Sequence, residues 1–161
     1  MNDLVLPVAA TLAALAFAAP ATAAVVPGQG IAGVELRMTE AQVRAVVGPP
    51  LRVTRSRGAL GFLVTRLHYH GLDVDLQRLD GQAVVVRAIA TRAGERTRSG
   101  VGVGSSLAAV RRLPGVRCWS EGAERYCGSG DRSTPLARVT IYWIGAYDRL
   151  TRIVVGLAVS S

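Results

Sequence analysis

Gly33-Val-Glu-Leu-Arg-Met-Thr-Glu-Ala-Gln-Val-Arg-Ala-Val46 and Gly100-Val-Gly-Val-Gly-Ser-Ser-Leu-Ala-Ala-Val-Arg-Arg-Leu113 are two versions of one pattern, offset by 67 positions. Gly33/Gly100, Val34/Val101, Ala41/Ala108, Val43/Val110 and Arg44/Arg111 are identical, and Thr39 lies over Ser106. Thr and Ser both serve as helix N-caps, so each copy opens a helix after a short apolar approach. Self-similarity at a fixed period is a signature of repeated supersecondary units. The first helix is predicted from about Glu40 to Val47 and is stopped by Gly48 and Pro49-Pro50. The second starts at Ser105 or Ser106 and breaks at Pro114-Gly115.

Working outward, alternating apolar runs predict strands near 51–57, 62–70, 72–79 and 82–91, with turns at Gly71-Leu72 and Asp80-Gly81. Strands near 116–120, 124–128, 136–144 and 149–158 follow the second helix, with 128–135 as a polar loop. Arg87 and Arg152 recur at an offset of 65. Helices this short do not stand alone, so each must pack on a sheet. Val34, Leu36, Val43 and Val47, with Val101, Val103, Leu107 and Val110, are the expected core. The expected fold class is α+β. Two tandem helix-plus-four-strand units span 33–91 and 100–161, their short helices packed on one face of an antiparallel sheet. Residues 24–32 are expected as an N-terminal linker and 92–99 as a charged linker between the units.

The order Gly-Val-x-Leu-x-Met-Thr-x-x-x-Val, then Gly-x-Pro, then strands, then the same again resembles the beta-lactamase-inhibitor-protein superfamily. Small outer-membrane assembly lipoproteins of the SmpA/OmlA type carry a single related unit. The matching residues run from Gly33 to Pro49 and echo from Gly100 to Leu113. The resemblance implies a sheet with one face covered by helices and the other free to bind protein. This chain differs from the inhibitors in its single pair of cysteines and its basic charge, and from the lipoproteins in having no Cys to lipidate at the cleavage site.

Of the 161 residues, 50% are hydrophobic and 19% charged, which excludes an acidic disordered chain, a coiled coil or a collagen-like chain. All 19 basic residues are Arg, and the net charge is +8. Such a surface favours anionic polymers, lipids or proteins, although a GC-rich codon bias and solubility explain it equally. Residues Leu4 to Ala19 form an apolar run followed by Pro-Ala-Thr-Ala-Ala, with small residues at Ala21 and Ala23. The arrangement predicts a signal peptide over 1–23 with cleavage after Ala23. The alternatives are an uncleaved membrane anchor and a buried helix. The expected location is therefore secreted or cell envelope, without a lipid anchor.

Cys118 and Cys127 are the only cysteines. An even count in an exported chain argues for a disulfide. A two-residue turn at Gly122-Ala123 would set Trp119 opposite Tyr126 and Cys118 opposite Cys127, close enough to be bridged.

His68 and His70 share one face of a strand, and a Gly71-Leu72 turn would set them opposite Asp75 and Asp73. That His/His/Asp/Asp patch reads as a solvated face, as a pH-sensitive protein contact or, with least support, as a metal site. With Leu63, Leu67 and Tyr69 turned inward, Arg66, His68, His70, Asp73, Asp75 and Gln77 line the free face of the first unit. Burial of Val139, Ile141 and Trp143 would put Arg138, Thr140 and Tyr142 on the same face of the second. The expected function is a non-catalytic, exported protein-binding module, inhibitor-like or an envelope assembly factor, using that face. The partner is an exported or envelope protein. The alternative is a basic module binding anionic cell-surface polymer, and a metal-dependent enzyme is a distant third. No cofactor, metal or nucleic acid is expected.

Overall fold

The computed structural model describes residues 24–58 and 61–158. The expected signal peptide, 1–23, lies outside the described residues. Three two-residue strands come first: β1 (Val25–Val26), β2 (Gly30–Ile31) and β3 (Val34–Glu35). Helix α1 (Glu40–Val47) leads into β4 (Arg52–Arg57), β5 (Leu63–His68), β6 (Leu72–Leu79) and β7 (Gln82–Ala90). Helix α2 (Leu107–Arg111) leads into β8 (Arg117–Glu121), β9 (Glu124–Ser129), β10 (Arg138–Ile144) and β11 (Leu150–Leu157). The short strands form one three-stranded sheet, and β4 to β11 form an eight-stranded antiparallel sheet in the order β4-β5-β6-β7-β11-β10-β9-β8. Two four-stranded meanders thus meet where β7 pairs with β11.

The α+β expectation is corrected by this architecture. The protein is mostly β, with two sheets, and its helices of eight and five residues do not form a layer. The physical reason is length. One or two turns of helix span too little of an eight-stranded sheet to cover it. Helix α1 buries one side chain, Val43, and α2 one, Val110. The remaining cover comes from residues 25–35, where a linker was expected up to residue 32. Val25, Ile31 and Val34 are fully buried there and join the core with Val43, Leu67, Val74, Val85, Val110 and Ile153. The segment before α2 is also tied down: Val25 donates its N–H to Arg96 O at 2.9 Å, and Thr97 is buried.

Local chemistry explains the helix ends. Thr39 and Gln42 form a capping box at α1, Gln42 Oε1 accepting the Thr39 N–H at 2.9 Å. Gly48, at φ 82°, ends the helix just before Pro49. Ser106 Oγ accepts the Ala109 N–H at α2. Each cap docks on the sheet in the same way. Arg37 N–H donates to Val85 O and Val85 N–H to Met38 O, both at 2.8 Å. Gly104 N–H donates to Leu150 O at 2.7 Å and Leu150 N–H to Ser105 O at 2.8 Å. Arg37 (φ 72°) holds the left-handed conformation that Gly104 (φ 92°) adopts without a steric cost.

Candidate functional site

The face of the large sheet turned away from α1, α2 and the small sheet carries two kinds of chemistry. Across β5, β6 and β7 it is ionic. Arg66 pairs in register with Asp75, and Asp75 with Arg87. The Asp75 carboxylate is fully buried. Arg66 Nε donates to Oδ1 at 2.6 Å and Arg66 Nη2 to Oδ2 at 2.9 Å, while Arg87 reaches Oδ2 at 2.6 Å. Two guanidiniums supply the donors that a buried carboxylate needs. The hydrogen bond to Asp75 raises the Arg66 pKa above its ordinary value, against the opposing effect of burial. Beside this triad, His68 Nδ1 lies 2.9 Å from Asp73 Oδ1, and His68 Nε2 lies 3.0 Å from Thr54 Oγ1 on β4. The imidazole is held between the two neighbouring strands.

Across β8 to β11 the same face is aromatic. Trp119, Tyr126, Trp143 and Arg152 occupy one cross-strand row. Trp119 and Tyr126 stack with centroids 5.6 Å apart, and Tyr126 meets Trp143 edge-on at 5.0 Å. Guanidiniums close both ends, Arg132 lying 3.6 Å from the Trp119 centroid and Arg152 5.4 Å from that of Trp143. Tyr126 donates its hydroxyl proton to Glu124, which raises its pKa. Trp119 Nε1 donates to Glu121 at 2.9 Å. The row borders an open cleft of about 590 Å³, whose lining includes Arg87, Arg132, Val139, Ile141, Val154 and Gly156. Two glycines shape it. A Cβ on Gly128 would come within 3.0 Å of the Trp119 ring, and one on Gly156 within 3.0 Å of the Arg87 side chain. Glycine inside a strand often marks such a close approach.

Arg66, His68, Asp73, Asp75 and Gln77 lie on this outer face, as the alternation predicts. The expected His/His/Asp/Asp patch is not assembled. The β5–β6 turn is His70-Gly71, closed by Tyr69 N–H to Leu72 O at 2.8 Å, so His68 sits opposite Asp73 and Arg66 opposite Asp75. His70 is left exposed at the tip, and the arginines take Asp75. Among the described residues no group of three or more His, Cys, Asp or Glu is placed to hold a metal ion.

On β10 the expected faces are reversed. Tyr142 and Thr140 are fully buried on the core side, and Arg138 follows the same side, donating to Gly28 O at 3.3 Å. Thr140 Oγ1 accepts the Gly28 N–H at 2.8 Å. Tyr142 pairs with Cys127 and Ile153, and that row belongs to the core. A strand read one residue out of phase turns every side chain over. Sequence reading therefore missed Trp119, Tyr126, Ile141 and Trp143 as outer-face residues. The signal was present in the hairpin: opposed Cys118 and Cys127 occupy one face, so Trp119 and Tyr126 must occupy the other.

The Cys118–Cys127 disulfide is present. Disulfides persist in oxidising compartments, so the bond is consistent with an extracytoplasmic location. No family model matches the chain, and no curated protein matches it. Among solved structures it is similar to an extracellular protein containing a SCP domain from Bacillus anthracis str. Ames, at 13% identity and a TM-score of 0.46. That similarity covers 75% of this chain, which spans 43% of the other.

Proposed function

We propose that this is an exported, non-catalytic protein that binds another protein of the cell surface or envelope through the outer face of its eight-stranded sheet. The observation that carries the reading is the Trp119–Tyr126–Trp143 row over the open cleft. Aromatic and Arg side chains around a partly apolar depression are the groups that most often anchor protein interfaces. The resemblance of the two capped-helix patterns to the beta-lactamase-inhibitor-protein superfamily supports the same class of function. So does the disulfide, together with a signal-peptide-like start, for release into the envelope or medium.

The test places a photo-crosslinking amino acid at Ile141, which faces the cleft, in protein secreted by the native organism. Crosslinking to one protein that survives high salt, and that disappears in Trp119→Ala/Trp143→Ala, is the expected result. Capture that falls steeply with salt and is indifferent to those two residues would favour the anionic-polymer reading instead.

A further inference from the structure

The open edge at β4 presents a different kind of surface. Between Glu40 and Asp73 the sequence has no acidic residue, while Arg44, Arg52, Arg55, Arg57 and Arg66 fall in that interval. Arg44 is paired with Glu40, and Arg66 with Asp75. No salt bridge among the described residues involves Arg52, Arg55 or Arg57, the three arginines of β4. Among the described residues β4 pairs only with β5 and ends the sheet.

Backbone register shows which groups the edge offers. Gly58 N–H donates to Phe62 O at 2.8 Å, one step beyond the Arg57–Leu63 pair. Hydrogen-bonded and non-hydrogen-bonded pairs alternate along an antiparallel ladder. Ser56 and Thr54 therefore aim their backbone groups at β5, and Val53, Arg55 and Arg57 aim theirs at the open side. The side chains of those three residues share one face of the strand. That face is not fully covered: Val53 is 38% exposed, and Leu63, opposite Arg57, is 60% exposed.

We propose that β4 is an edge-addition site for an extended acidic segment of a partner protein. Main-chain bonds to Val53, Arg55 and Arg57 supply affinity, and alternate side chains supply selectivity. Carboxylates on alternate residues of the segment would face Arg55 and Arg57, which share one face of the strand. A second copy of this chain is the wrong occupant, because antiparallel self-pairing of β4 brings three arginines against three. An anionic polysaccharide matches the charge but lacks the regular main-chain donors and acceptors.

The probe is a synthetic peptide of about eight residues alternating Asp and Val, long enough to cover one strand. Its control carries N-methyl groups on alternate amides, which keeps the charge and blocks strand pairing. The unmethylated peptide should bind about tenfold more tightly or better and should protect the Val53, Arg55 and Arg57 amides from hydrogen exchange. Arg55→Glu/Arg57→Glu, at exposed positions, should keep the thermal melt and lose that binding, and an alternating Lys and Val peptide should then bind in its place. Equal binding of the methylated peptide would overturn the proposal in favour of simple polyanion capture. Concentration-dependent protection of the same amides without peptide would overturn it in favour of a second copy. Absence of peptide binding would overturn it outright.

Discussion

The two halves of the large sheet share a docking pattern for their helix caps yet use their outer faces in opposite ways. On β5 to β7 the polar groups satisfy one another: Arg66 and Arg87 hold Asp75, while Asp73 and Thr54 hold His68. On β8 to β11 the aromatic row leaves an open cleft with arginines at its ends. A buried carboxylate with two guanidiniums is costly to disturb, because loss of the partners strands a charge away from water. An aromatic surface costs little to uncover and gains on burial by a partner. The ionic half is thus suited to rigidity and the aromatic half to recognition.

The largest effect tests the inner side of the aromatic half. Tyr142→Ala should cost about 3–5 kcal/mol in urea unfolding, as expected for a large side chain lost from a core. Its neighbour Trp143→Ala, on the outer face, should cost clearly less and instead weaken partner binding. Equal losses at the two positions would break the assignment of faces on β10. Next comes the ionic half. Arg66→Ala/Arg87→Ala leaves the Asp75 carboxylate buried without its partners and should cost about 3 kcal/mol. Adding Asp75→Ala should return most of that loss. A double variant as stable as the parent would mean that the ionic half is as pliant as the aromatic one.

The disulfide lies at the far edge of the aromatic half, and Cys118→Ser/Cys127→Ser should cost about 2–3 kcal/mol, the scale for a short closed loop. Retention of the Trp119–Tyr126 near-ultraviolet signal in that variant would show that the row stands without its covalent brace. The smallest effect concerns the Tyr142 hydroxyl, which is buried without a hydrogen-bond partner among the described residues. Tyr142→Phe removes an unsatisfied group and should gain about 1 kcal/mol at neutral pH. Burial pushes the Tyr142 pKa from 10.0 up to about 12. The folded state therefore keeps the proton longer than the unfolded state. The resulting stability is present below pH 10 and is lost as pH rises through about 12. Tyr142→Phe should flatten that part of an alkaline unfolding curve, and an unchanged slope would contradict the burial of the ring.

Much of the strand content was legible because turns and period-2 runs are local. Glycine at positive φ marks the Gly81 and Gly122 turns, and the Cys118–Cys127 register follows from the second of them. The fold class was misread because Val25, Ile31 and Val34 stand in strands of only two residues each, too short to show a period. The site was half legible. Arg66, His68, Asp73, Asp75 and Gln77 alternate with apolar residues on β5 and β6, so their side of the sheet is plain. On β10 both alternating sets, Val139/Ile141/Trp143 and Thr140/Tyr142/Ile144, are largely apolar, and hydropathy does not choose between them.

By itself the sequence determined where helices start, where the Asp80-Gly81 and Gly122-Ala123 turns fall and which cysteines meet. Those features depend on caps, glycines and spacings within a few residues. Only the tertiary structure decided which face of β10 is core, that Arg66 and Arg87 rather than a histidine take Asp75, and that an N-terminal stretch becomes a second sheet. Each of these depends on what a distant strand or segment places against a residue. A side chain's burial is a property of that pairing and is not written in its own neighbourhood of the chain.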